Sequence, residues 1–116
     1  MTDQKVSQDV RQGLLDNILQ ELRRGTLVMV VLMNLKNQEY GYSLINKLQA
    51  LGISIEQNTL YPLLRRLEKQ GLLVSLWDTS ESRPRKYYVI SDLGRSILES
   101  VIKEWQHNNQ IISKMI

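Results

Sequence analysis

The segment from Gln57 to Gln70 constrains the fold more than any other stretch of the chain. Leu60, Leu63, Leu64 and Leu67 recur at steps of three and four, so a helix gathers them into one stripe. Gly71 follows as a natural stop. A helix that buries this stripe must turn Thr59, Tyr61, Pro62, Arg65, Arg66 and Lys69 toward its other faces. Pro62 has no N–H and is comfortable only near a helix start. The helix is therefore predicted to begin at about 56–59, or else to kink.

The neighbouring segments follow from the same reasoning. Val10, Leu14, Leu15, Ile18, Leu19 and Leu22 mark an amphipathic helix over about 7–24, which Gly25 is expected to break or bend. Thr26 then serves as an N-cap for a short, mostly buried helix reaching Leu35. Lys36–Glu39 is predicted as a polar turn, and Gly41–Ala50 as a helix with Leu44, Ile45 and Leu48 inward and Gly52 as terminator. Ile53 and Ile55 form an extended bridge. Leu72–Trp77 and Arg85–Ile90 have strand composition and flank a polar loop over 78–84. Ser91 caps a last helix that runs to about Ser113. No repeat or linker divides the 116 residues, about one domain's worth, so one domain with helical extensions at both ends is expected.

Composition removes whole classes of chemistry. There is no cysteine and one histidine, His107, so disulfides, Cys/His zinc sites and cysteine nucleophiles are excluded. Glu99 and Glu104 are five apart and share no helix face, which gives no paired acid and base. No glycine-rich phosphate loop is present. No enzyme activity, no cofactor and no metal are expected. The longest unbroken apolar run, Leu27–Met33, is seven residues, against about 20 for a membrane span. The amino-terminal MTDQKVSQDV is polar and mixed in charge, unlike a secretory signal. A cytoplasmic protein without a membrane partner is expected.

The net charge of +3 is localised. Between Gln57 and Arg95 stand seven cations and four anions, while the rest of the chain is balanced. Such asymmetry suggests a polyanion partner, with a solvated basic face as the competing reading.

Three short helices followed by a β-hairpin is the order of a winged helix-turn-helix, a mainly α (α+β) fold. Particular residues carry the match further. Arg24-Gly-Thr-Leu27, Tyr40-Gly-Tyr-Ser-Leu-Ile45, the run from Asn58 through Thr-Leu-Tyr-Pro-Leu-Leu-Arg-Arg-Leu-Glu-Lys-Gln-Gly to Leu72, Pro84-Arg-Lys-Tyr-Tyr88 and Ser91-Asp-Leu-Gly94 resemble the PadR family of bacterial transcriptional regulators. The resemblance covers about 22–105. Two departures stand out: Ser82-Arg83-Pro84 replaces a wing that often carries a glycine and a second proline, and Asn58 stands where many members have glycine. The short tail after Trp105 resembles members with a single C-terminal helix.

The resemblance implies a homodimer that binds an operator in double-stranded DNA, most simply as a repressor at an inverted repeat. It also implies a division into 1–24, an N-terminal helix contributing to dimerisation; 25–90, the winged helix-turn-helix; and 91–116, a C-terminal dimerisation helix. A helix fits the major groove, and residues near its amino end reach base edges, here Thr59 and Tyr61. Arg65 is placed on a guanine or a phosphate, and Arg66 and Lys69 on phosphate or on a solvated face. Arg83, Arg85 and Lys86 flank the hairpin tip, with Arg85 and Lys86 on opposite strand faces. Tyr40 and Tyr42 open the second core helix, where they either bind phosphate or pack on the recognition helix.

On the last helix Leu98, Trp105 and Ile112 are seven apart, Val101 and Asn108 follow the second series, and Ile102 widens the stripe. In some PadR-like proteins a Trp at this position lines an interfacial cavity for flat aromatic ligands, so Trp105 is the candidate for an aromatic effector. Plain interface core is the competing role. Trp77, ending the first wing strand, is expected as a hydrophobic lid. A winged-helix adaptor that binds a protein partner without specific DNA binding is the alternative function.

Overall fold

A computed structural model describes residues 7–116. The first six residues of the polar amino-terminal segment lie outside the described residues. The chain forms α1 (Gln8–Met33), β1 (Glu39–Tyr40), α2 (Gly41–Ala50), α3 (Gln57–Lys69), β2 (Leu73–Asp78), β3 (Arg85–Ile90) and α4 (Asp92–Ser113). The strands make one antiparallel sheet in the order β1-β3-β2. This is the winged helix-turn-helix that the sequence leads one to expect.

One expectation fails at the start. Gly25 does not break the first helix in two: α1 runs unbroken through 26 residues. Thr26 is not an N-cap; its hydroxyl donates to the Arg23 carbonyl one turn back. A mid-helix glycine is worth about 1 kcal/mol against alanine. Burial of Met29, Val31, Leu32 and Leu35 in the core outweighs so small a penalty. The true cap is Ser7, whose Oγ accepts the Val10 N–H.

The segment 36–39 also departs from expectation. Glu39 is not turn but pairs with Tyr88, and Tyr40 pairs with Tyr87, adding a short third strand. Tyr40 does not open α2 with helical backbone; it is the extended residue preceding it.

Glycine ends α2 and α3 in the same way. Gly52 and Gly71 adopt φ of 90° and 82°, a region costly for residues with a Cβ. Their N–H groups bond back to Gln49 and Glu68, and those of Ile53 and Leu72 to Leu48 and Leu67, the paired bonds of a Schellman motif. Ser91 then links α3 to α4. Its Oγ donates to the Gly71 carbonyl at 2.6 Å and accepts the Gly94 N–H at 2.9 Å.

The core holds Leu32, Leu35, Leu44, Leu48, the four α3 leucines, Leu73, Tyr88, Ile90 and Leu98. Pro62 lies in the second turn of an α3 that starts at Gln57. It faces solvent beside exposed Asn58, so the carbonyl deprived of its helical partner opens to water instead of the core.

The molecule is elongated. Its radius of gyration is 18.0 Å, against about 13.4 Å for a compact domain of this length. The excess lies in the two long helices. Val10, Leu14, Ile18 and Leu22 are exposed on α1, as are Trp105, Ile111 and Ile112 on α4. No helix among the described residues is long and apolar enough to cross a membrane.

Candidate nucleic-acid interface

The approach of α2 to α3 is set by a glycine. Gly41 is buried, and a Cβ there would collide with the Tyr61 ring. The amino end of α2 therefore meets α3 at Tyr61, and the wing closes on the same place. Between them runs a groove of about 730 Å³ lined by Tyr40, Gly41, Tyr42, Tyr61, Arg65, Trp77, Arg83, Arg85, Lys86 and Tyr88. Four of these residues are cations, five are aromatic, and none is a carboxylate.

The groove unites seven of the ten residues singled out for DNA: Tyr40, Tyr42, Tyr61, Arg65, Arg83, Arg85 and Lys86. Thr59 and Arg66 lie elsewhere. With Arg24, Leu27, Val28, Pro62 and Leu63 they border a smaller depression of about 320 Å³ between α1 and α3. Lys69 is exposed at the end of α3 and borders neither. Trp77, expected as a hydrophobic lid, is 63% exposed and lines the groove.

Two clusters fix the wing. Tyr40 stacks on Tyr87 with centroids 3.9 Å apart, and the two hydroxyls share a hydrogen bond. Both hydroxyls also lie 3.4 Å from Asp78 Oδ2, which accepts from whichever of the two does not donate to the other. The Tyr40 hydroxyl, together with desolvation and the Asp78 charge, pushes the Tyr87 pKa up to about 12. Arg85 lies over the Tyr40 ring at 5.2 Å, and Glu81 is 3.6 Å from its guanidinium. Asp78 is held below the usual carboxylate range chiefly by Ser80, whose backbone N–H donates to it.

The second cluster lies on the core-facing side of the sheet. Lys86 Nζ is 3.2 Å from Glu68 Oε1, and the Ser75 hydroxyl donates to Glu68 Oε2. The Ser75 hydrogen bond chiefly lowers the Glu68 pKa; burial opposes it, and the hydrogen bond and charge of Lys86 add to the lowering. For Lys86 desolvation pulls downward, but Glu68 and Tyr88 outweigh it and the net shift is upward. Lys86 is thus a charge already partly answered. Arg65 and Arg83 have no ion-pair partner among the described residues.

The residues expected at a dimer interface divide. Leu98 is buried in the protomer's own core, and Val101 and Ile102 pack against that core. From Trp105, which is 41% exposed, through Asn108 to Ile112 the helix face is open. A packed first half and a free second half follow from where α4 leaves the domain, which periodicity alone does not show.

Comparison with known proteins agrees with this geometry. Residues 31–100 match the Transcriptional regulator PadR-like family. An uncharacterized protein of Lysinibacillus sphaericus is 32% identical over 97 residues, covering 79% of this chain and 89% of that protein. A transcriptional regulator of Mycobacterium tuberculosis is 33% identical over 81 residues, covering 69% of this chain and 76% of its own length. The crystal structure of a PadR family transcriptional regulator from Eggerthella lenta matches with a TM-score of 0.88 and 47% identity, covering 91% of this chain and 95% of that one.

Proposed function

The chain belongs to the PadR-like family of transcriptional regulators, a DNA-binding and not an enzymatic family, and on that premise we propose that it is a homodimeric repressor of an inverted-repeat operator. The groove carries this reading, because four cations and no carboxylate line it between α3 and the wing. Arg65 and the amino end of α3 enter the major groove, while Arg83 and Arg85 hold the flanking backbone. Two-fold symmetry spaces the half-sites by whole helical turns, about 10 bp each.

The exposed apolar faces of α1 and α4 support dimerisation. Leu14, Ile18 and Leu22 on one helix and Trp105 and Ile112 on the other remain in water in a single protomer, and association removes that cost. A planar aromatic effector at Trp105 would act by favouring one spacing of the reading helices over another.

The test is binding to the promoter fragment of its own gene at two salt concentrations. About four phosphate contacts per protomer predict a log K against log salt slope of about −7 for the dimer. Specific binding with such a slope supports the reading. Absence of binding, or binding without sequence preference, favours the adaptor.

A further inference from the structure

The core-facing row of the wing runs past the core. The register pairs Leu73 with Ile90, Ser75 with Tyr88 and Trp77 with Lys86, so these side chains share one face of the sheet. Along the row burial declines. Leu73, Ile90 and Tyr88 are buried, Ser75 and Lys86 are half-buried, and Trp77 is mostly exposed. The row thus ends with a large apolar ring that lines the groove together with Tyr42, Tyr61 and Arg65. Lys86 lies over the ring only at the outer limit of a cation–π contact and leaves it mostly exposed. Its ammonium is tied to Glu68 and stands 6.0 Å from the Trp77 centroid.

We propose that Trp77 is an apolar DNA contact of the wing, packing on deoxyribose and base edges while Arg65, Arg83 and Arg85 hold the adjacent phosphates. This inference rests on the DNA-binding reading above. Its occupant is fixed by the mixture of groups. A purely acidic partner answers the cations but leaves the indole in water. A nucleic acid presents flat apolar surface within a few ångströms of its phosphates, and apolar side chains are a recurrent means of engaging a groove.

An uncharged side chain releases no counterions, which separates Trp77 from its cationic neighbours. Trp77→Ala should weaken binding to the promoter duplex about tenfold, with the salt slope unchanged. Arg83→Ala should instead make the slope shallower by about one. Trp77→Phe keeps an aromatic face and should stay close to wild type. The wild-type emission change on adding DNA should be largely lost in Trp77→Phe, because Trp105 sits far along α4. If the wild-type protein binds the duplex but Trp77→Ala binds equally well, and the emission change persists in Trp77→Phe, this inference fails while DNA binding stands. If the wild-type protein binds no DNA, both fail together.

Discussion

Tyr40 and Tyr87 stack at 3.9 Å with their planes 26° apart, which fastens the residue before α2 to the second wing strand. The wing is therefore tied to the helix-turn-helix on both its faces, by this pair on one and by Lys86 and Glu68 on the other. That tie has a spectroscopic signature. Tyr87 should ionise near 12, about two units later than an ordinary tyrosine. Absorbance titration of the phenolates should show this late component, and Tyr40→Phe should move it back toward 10. A raised pKa in the folded state means that the stabilisation is complete below about 10 and is lost as pH rises toward 12. Loss of folded signal below 10 would point to another group.

Glu68 restrains a groove cation, so its removal should strengthen DNA binding. Glu68→Gln frees the Lys86 ammonium and removes the negative charge beside it. Affinity measured by anisotropy should rise a few-fold, with a steeper salt slope. By the same logic Lys86→Ala should flatten the slope less than Arg65→Ala, whose charge has no ion-pair partner among the described residues. Equal effects would contradict the partial neutralisation of Lys86.

The lowered Glu68 pKa also makes an acid-side prediction. Its stabilisation is present above the ordinary carboxylate range and fades as pH falls through the depressed value. The pair is about one-third exposed, so the effect is small, below about 1 kcal/mol. Denaturant midpoints of wild type and Glu68→Gln should converge in acid and separate at neutral pH.

Two glycines should respond oppositely to alanine. Gly25 has open space where a Cβ would stand, so Gly25→Ala should stabilise by up to about 1 kcal/mol. At Gly94 a Cβ would run into the Leu72 carbonyl, a backbone atom that cannot rotate away. Gly94→Ala should destabilise by about 1–3 kcal/mol. Thermal melts of the two variants give the signs directly.

If α1 is a dimer element, a charge on its open face should dissociate the protein without unfolding it. Leu22 is 68% exposed in the protomer, so Leu22→Lys has little to disrupt within one chain. Sedimentation should show monomer, with unchanged helical signal and weaker operator binding.

Much of this was readable in the residues, and the failures share a cause. The leucine stripe of α3, the glycine stops and the Ser91 cap are local signals, and each led to the right element. The continuity of α1 was not local, because Gly25 carries a breaker's signal that packing from Met29 onward overrides. The two-residue strand at Glu39 has no pattern of its own and exists only through β3. Within the site, helical period separates the leucines from the remaining side chains. It does not say that Thr59 and Arg66 face α1 whereas Tyr61 and Arg65 face the wing. Trp77 could have been found, since alternation along β2 puts it in one row with Leu73 and Ser75, opposite Lys86.

The unbroken α1 has a mechanical consequence. About 39 Å of rod has its last turns embedded in the core beside α3, while its first turns stand clear of the domain. Arg24, Leu27 and Val28 border the same depression as Thr59 and Arg66. Because the helix is continuous through Gly25, displacing its free turns would displace the turns packed in the core. If those free turns are held in a dimer, the position of the partner would be passed to α4, on which α1 mainly packs, and to the flank of α3.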